Sequence, residues 1–418
     1  MLAKILHTLT SRIGAAGFSF LVVVLTAQFL GAAGRGEVSI FMANLTVILL
    51  FTSLIGGTGI TYLASRINFY QLLLPAYIWS GVICGLGTLA ILAVGQTPAE
   101  TVWHLFGLSL LLAFFTVNTT VLLGRDQVKT NNYLTLLQTF LTVLGLAVGF
   151  LVLQERSVVT YFKALYLAYG VTALLSFLAL LRLPEKPAFS NFAQNLKKLM
   201  RVGIVAQFSN IITFLNYRLG YYFLQTWSGL EAVGVFSVAV TLSEAIWMVG
   251  RSLATVQYAR LVNTESQEEA QRLTLKLVKV SFAVTFAAVL ALVILPPELL
   301  KFIFGKEFGQ VKPVIYALAV GVIATGTGMI FSHYFAGRGR YVVNNWAALF
   351  GLAFTIPGCW LLIPKFGAVG AGLASTLSYL AAFSFLLWKF RQETAFSLSR
   401  LFPTKADIRE LKQLLSRS

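Results

Sequence analysis

Twelve apolar runs, nearly free of charge and each about as long as a membrane is thick, punctuate this sequence at 13–34, 38–65, 69–95, 102–123, 131–153, 160–181, 202–226, 232–257, 280–297, 313–336, 342–363 and 367–388. A hydrocarbon core of roughly 30 Å takes about 20 helical residues to cross. Barrel strands need only about 10 residues and alternate in polarity, so runs of this length must satisfy their backbone internally as helix. Composition agrees: 57% of the 418 residues are hydrophobic, only 11% are charged, and the mean hydropathy is +0.80. A water-soluble chain carries roughly a quarter charged residues. The expectation is an all-α integral membrane protein. The first run also follows Lys4 and Arg12 and ends in small residues near Gly31–Gly34, as a signal peptide does, but its length favours a first span.

A net charge of +17 raises nucleic-acid binding, yet in so apolar a chain the prior question is on which side of the membrane the cations lie. Threading twelve spans with the N-terminus inside puts 23 Lys and Arg in inner segments and 7 in outer ones, and 17 against 7 without the tail. Both termini are therefore expected in the cytoplasm, with membrane lipid headgroups, not nucleic acid, as partner of the basic rim.

Two pairs of strings suggest duplication. LGAAGRGEVSIF after the first run matches SGLEAVGVFSVA after the seventh, aligning Gly31, Gly36 and Ser39 with Gly229, Gly234 and Ser237. LLGRDQVKTNNY after the fourth matches FAGRGRYVVNNW after the tenth, aligning Gly124, Arg125, Asn131 and Asn132 with Gly337, Arg338, Asn344 and Asn345. The offsets, 198 and 213, are close. Six spans per unit give both units one orientation, so a pseudo-two-fold axis along the membrane normal and a central cavity are expected. The expected organisation is a six-helix lobe over 1–183, a cytoplasmic amphipathic linker over 184–200 with Phe189, Phe192, Leu196 and Leu199 at helical spacing, a second six-helix lobe over 201–390, and a cytoplasmic tail over 391–418. Ile408, Leu411 and Leu415 give that tail the pattern of an interfacial helix.

Charge at mid-bilayer costs about 2.5 to 3.5 kcal/mol on insertion scales, so intramembrane ions mark function or a structural pair. Arg218 in the seventh run and Glu244 in the eighth lie deep, and Arg251 lies near the inner end of its span, where it can snorkel. Gln207, Asn210, Phe214, Arg218, Tyr221 and Gln225 recur every three or four residues and make one polar helical face; Glu244, Trp247 and Arg251 make another. Two readings stand: an ion pair that joins neighbouring helices, or an anion-binding cavity in which the arginine fork receives a diphosphate. Arg12, Ser19 and Gln28 extend the polar inventory into the first run; Arg12 and Arg35 read as interfacial anchors or as part of a substrate path. His333 is a packing residue or a proton carrier.

Enzyme signatures are scarce. Gly321, Gly326 and Gly328 sit in an apolar run with no Lys-Ser/Thr after them, so they are packing sites and not a phosphate loop. His7, His104 and His333 are scattered, and Cys84 and Cys359 lie far apart in apolar runs. Neither a metal site, a cofactor nor an enzymatic activity is expected.

The strings LGAAGRGEVSIF at 30–41, LEAVGVFSVAVTLSEAIW at 230–247, IFGKEF at 303–308, YFAGRGRYVVNNW at 334–346 and LLIPKFGAVGAGLASTLSYL at 361–380 resemble the polysaccharide transport proteins, or oligosaccharide flippases, of the multidrug, oligosaccharidyl-lipid and polysaccharide exporter superfamily. That resemblance implies a twelve-helix, two-lobed inner-membrane protein that flips a polyprenyl-diphosphate-linked oligosaccharide by alternating access. It implies a coupling cation as a further ligand, and polysaccharide polymerase and glycosyltransferases as neighbours in the same biosynthesis. Arg218 is similar in placement to cavity arginines of the family's seventh span, whereas the acidic neighbour often found there is replaced by Asn216, Tyr217 and Leu219. Two alternatives remain: a cation-coupled drug exporter, which would lean on Glu244, and a membrane glycosyltransferase or polymerase. The latter usually needs a large outer loop, and the longest one expected here, about 298–312, is short.

Overall fold

The computed structural model describes residues 2–95, 99–186, 192–264, 266–394 and 396–397; the expected tail helix and Phe189 lie outside them. The described chain is almost wholly helical: α1 (Leu2–Gly56), α2 (Thr58–Ala64), α3 (Tyr70–Val94), α4 (Ala99–Gly124), α5 (Val128–Ala147), α6 (Val158–Leu181), α7 (Phe192–Leu261), α8 (Gln267–Ile294), α9 (Pro297–Phe304), α10 (Val311–Gly337) and α11 (Tyr341–Thr394). A π turn, Val148–Val152, ends α5, and a 3-10 turn, Lys306–Gln310, precedes α10. The outer segment expected as a loop at 298–312 is thus mostly helix: Pro297 starts α9 and Glu298 lies in its first turn, an arrangement that favours helix initiation.

Among the described residues nine helices are long and apolar enough to span a membrane. This is a multi-pass membrane protein. Three of the nine, α1, α7 and α11, run for 54 to 70 residues, which at 1.5 Å per residue is more than twice the bilayer core. Each contains one non-helical residue, and each is a glycine: Gly31 (φ 69°, ψ −173°), Gly229 (φ 79°, ψ 177°) and Gly367 (φ 54°, ψ −129°). Positive φ with extended ψ is open essentially to glycine alone.

The chain doubles back at these points. Arg218 and Glu244, which an unbroken helix would hold about 39 Å apart, meet at 2.8 Å across Gly229. Thr355 and Ser378 likewise meet at 2.8 Å across Gly367, and Arg35 Nη1 reaches Thr26 Oγ1 at 3.2 Å across Gly31. Gly31 and Gly229, aligned in the sequence at offset 198, share nearly the same backbone angles.

Two compact units result. One gathers the chain up to Ile211 with Gly229–Gly234 and Phe302–Glu307; the other gathers Ile212–Ser228, Val235–Lys301 and the described chain from Phe308. In unit 1 one cluster centres on Val38, Phe41, Phe150 and Phe162, and a second on Ile55, Leu72, Leu122 and Leu180. Residues 192–200 form the opening turns of α7, and Leu199 is fully buried in the second cluster. Unit 2 packs Ala254, Phe331, Tyr334 and Phe390 together. Large side chains such as Trp103, Leu151, Phe302 and Trp360 point outward, as bilayer-facing helices require. Hydroxyls within the spans fold back on the carbonyl four residues earlier, as Thr26 does on Val22, Thr46 on Met42 and Thr172 on Ala168, which satisfies them without leaving their own helix.

The second pair of matched strings marks one construction built twice. In unit 1 the Arg125 guanidinium, just after α4, donates to the Ile67 carbonyl at 3.0 Å and pairs with Glu185 at 2.5 Å, and Glu185 also accepts the Phe69 N–H. In unit 2 Arg338, just after α10, donates to the Thr264 carbonyl at 3.2 Å, and Arg340 pairs with Glu393. Ile67 and Thr264 are 197 residues apart, Arg125 and Arg338 213. The preceding glycines, Gly124 and Gly337, leave room for this approach: a Cβ on the first would crowd Thr61 and Ala64, and on the second Leu261 and Tyr258.

Candidate functional site

Unit 2 holds the ion pair. Arg218 stands 11 residues before Gly229 and Glu244 15 after it, placing them about 16 and 22 Å from the break along their arms, well inside both helices. Arg218 Nη2 lies 2.8 Å from Glu244 Oε1, with 29% and 35% of the two side chains exposed. Arg218 Nη1 donates to the Tyr221 hydroxyl at 3.1 Å, and the guanidinium lies 5.3 Å from the Tyr221 ring centre. Spacing of three residues along α7 makes that last contact possible.

Beside the pair three rings pack on one another. Tyr217 lies 5.3 Å from Trp247 and 5.8 Å from Tyr379, and Trp247 lies 5.5 Å from Tyr379. Trp247 is buried while its indole Nε1 has no hydrogen-bond acceptor. An arginine fork held by one carboxylate and one phenol, among aromatic walls and partly open, suits a group with two or more anionic oxygens that can replace the carboxylate.

The expected site residues separate into groups. Arg218, Glu244 and Tyr221 come together. Gln225 lies one turn beyond Tyr221 on the same arm, and Arg251 is an exposed cation two turns past Glu244. Gln207 and Asn210 belong to unit 1 and serve each other: Gln207 Nε2 donates to the Ser53 carbonyl at 3.2 Å and Asn210 Nδ2 to Gln207 Oε1 at 3.0 Å. Gln28, also in unit 1, donates to the carbonyls of Phe302 and Ile303 at 3.1 and 2.7 Å. Arg12 is exposed near the start of α1, whereas Arg35 is 9% exposed and engaged with Thr26. His333 Nδ1 lies 2.9 Å from the Met329 carbonyl one turn back, a local packing contact.

Sequence reasoning did not single out Tyr217, Tyr379 or Asn216 as parts of this constellation. Asn216 faces away from the polar stripe of α7, Tyr217 is an aromatic ring at its edge, and Tyr379 arrives from a span more than 150 residues later. Spacing could have joined Tyr217, four residues before Tyr221, to the stripe; none joins Asn216 or Tyr379 to it.

The matched strings offer an internal control. At offset 198 the counterparts of Arg218, Glu244 and Arg251 in the first half are Phe20, Thr46 and Ser53. A helical hairpin with the same glycine break is built there with no charge at any of these three positions, so the hairpin itself does not require the pair.

No family model matches the chain. A 197-residue stretch, 46% of this chain and half the length of the curated relative it matches, is 25% identical to the capsular polysaccharide biosynthesis protein CapF of Staphylococcus aureus. Among solved structures, an inward-facing multidrug resistance MATE family transporter of the MOP superfamily superposes with a TM-score of 0.74 at 18% identity, over 91% of this chain and 94% of the other. The lipid II flippase MurJ, in an inward closed conformation, superposes with a TM-score of 0.72 at 13% identity, over 96% and 89%. The fold is that of these two solved membrane proteins. The resemblance carried by the sequence strings is borne out, in sequence by the capsular polysaccharide protein and in architecture by the MATE transporter and the lipid II flippase.

Proposed function

We propose that this protein is a flippase that moves a lipid-linked oligosaccharide, carried on a polyprenyl diphosphate, from the inner to the outer leaflet of the bacterial inner membrane by alternating access. The reading includes twelve crossings, nine long helices of which three double back, arranged as two six-helix halves with both termini in the cytoplasm. The observation that carries it is the Arg218–Glu244 pair, present in the second half and replaced by Phe20 and Thr46 in the first. A charged pair that the hairpin does not need, at a depth where charge is expensive, is best explained by what it binds.

Arg218 receives the diphosphate; Glu244 occupies its fork while no substrate is present and is displaced when one arrives, so the cation never stands uncompensated. Arg251 is a second cation, on the arm that carries Glu244. The capsular polysaccharide relative and the lipid II flippase supply independent support for a lipid-linked glycan, and the basic bias of the intramembrane charges, two Arg to one Glu, supports an anionic one.

Drug export is the second reading, favoured by the likeness to the MATE transporter and by Glu244 as a cation acceptor. Against it, Glu244 is already engaged by Arg218. Reconstitution decides: proteoliposomes loaded with a lipid-diphosphate oligosaccharide are assayed for leaflet translocation with wild type and Arg218→Ala. Translocation by wild type that falls at least tenfold in the variant supports the flippase. Equal rates in both remove Arg218 from the mechanism, and no translocation by folded wild type removes this substrate class.

A further inference from the structure

Asn216 sits two residues before Arg218 and so about 200° around the helix from it, on the opposite side of the first arm of α7. The residue is 9% exposed and bonded through both the nitrogen and the oxygen of its amide. Nδ2 donates to the Ala348 carbonyl at 2.8 Å; the hydroxyls of Thr355 and Ser378 lie 3.0 and 3.3 Å from Oδ1 and 2.8 Å from each other. Ala348 and Thr355 belong to the arm of α11 before Gly367 and Ser378 to the arm after it. One amide thus ties three helical arms together.

The first half again shows what the fold needs. The residue 198 positions before Asn216 is Phe18, whose ring packs edge-on against Phe140 at 5.5 Å. Two rings close that place where the charges are missing; the polar node stands where they are present. A buried amide is tolerated only when its partners fit one geometry, because each unmet donor or acceptor in a dry interior costs more than the bond returns. Asn216 therefore sets one depth and one rotation for its arm, where a patch of interchangeable apolar side chains would accept several.

We propose that Asn216 is a positioning residue for Arg218: it fixes the arm of α7 against both arms of α11 so that the guanidinium is aimed at Glu244 and, once Glu244 is displaced, at the anionic group that replaces it. A slip of one residue along α7 would swing Arg218 by 100° and remove its fork from the site. The inference rests on the reading of Arg218 as the anion site, but its geometric part is tested without ligand.

The experiment uses the full chain in detergent. A double-mutant cycle of Arg218→Met and Glu244→Gln, read as melting temperature, gives the coupling of the pair, and the cycle is repeated with Asn216→Ala. The coupling is expected to fall by at least half. Binding of a polyprenyl diphosphate is measured in parallel and is expected to weaken about tenfold in Asn216→Ala. A melting temperature that drops while coupling and affinity stay at wild-type values makes Asn216 a purely structural residue and overturns the proposal. Wild type that binds no polyprenyl diphosphate sinks the anion-site reading, and the ligand-free cycle still decides the positioning. Should Asn216→Ala fail to fold, Ser378→Ala removes a single leg of the node and is expected to lower the coupling in the same direction; unchanged coupling there overturns the proposal too.

Discussion

The Arg218–Glu244 pair is about a third open to its surroundings, so its contribution is well below that of a fully desolvated pair. Replacing the carboxylate leaves the arginine without its countercharge, and Glu244→Gln is expected to lower stability by about 1 kcal/mol in a detergent melt. Its effect on ligand should have the opposite sign. With the internal competitor neutralised, a polyprenyl diphosphate should bind more tightly, and translocation should slow because nothing displaces the bound anion from Arg218. Arg218→Lys separates charge from geometry: an ammonium keeps the charge but loses the planar fork, so binding should weaken by about tenfold rather than vanish. If Glu244→Gln weakens binding as Arg218→Ala does, Glu244 contacts the ligand or a coupling cation directly and the competitor mechanism is wrong.

At the scale of elements, the glycine breaks and the arginine ties can each be weighed. Gly229 has open space where a Cβ would go, so Gly229→Ala isolates the backbone cost of its conformation, about 1–3 kcal/mol. At Gly31 a Cβ would lie 2.8 Å from a carboxylate oxygen of Glu307, which accepts the Ala32 N–H at 2.6 Å and caps the arm that follows. Gly31→Ala should therefore cost more than Gly229→Ala in the same melt, and the gap between them should shrink when Glu307→Ala is added. The tie at Arg125 and Glu185 is largely buried, with 24% and 20% of the side chains exposed. Arg125→Glu opposes two carboxylates and frees the Ile67 carbonyl, at a cost of about 1–3 kcal/mol, and Glu185→Arg in that background should recover part of the loss. Additive losses in the double variant would mean the contact contributes nothing.

For the whole molecule, hydropathy made the spans legible because in a bilayer length and charge are the dominant constraints, and the helices found begin and end within a few residues of most of the apolar runs. The repeated strings were equally readable, since Gly31 and Gly229, or Arg125 and Arg338, perform backbone and turn functions that few residue types can perform. Of the site, the polar stripe gave Arg218 and Tyr221, but helical periodicity ranks faces of one helix and says nothing of which other helix meets them. Tyr379, Thr355 and Ser378 come from α11 and were out of its reach. Double crossing by the three long helices has a sharp test. The native thiols, Cys84 and Cys359, are 0% and 2% exposed and should stay silent to a membrane-impermeant maleimide. Ala33, Glu231 and Lys365 are exposed and lie within four residues of the breaks. If each long helix is two crossings, these positions sit at the outer surface, and Ala33→Cys, Glu231→Cys and Lys365→Cys should all label in intact cells, while Lys129→Cys and Lys389→Cys label only after the membrane is opened. If α11 crossed once, Lys365, some 24 residues into the helix, would lie inside the hydrocarbon and its replacement would stay unlabelled from both sides.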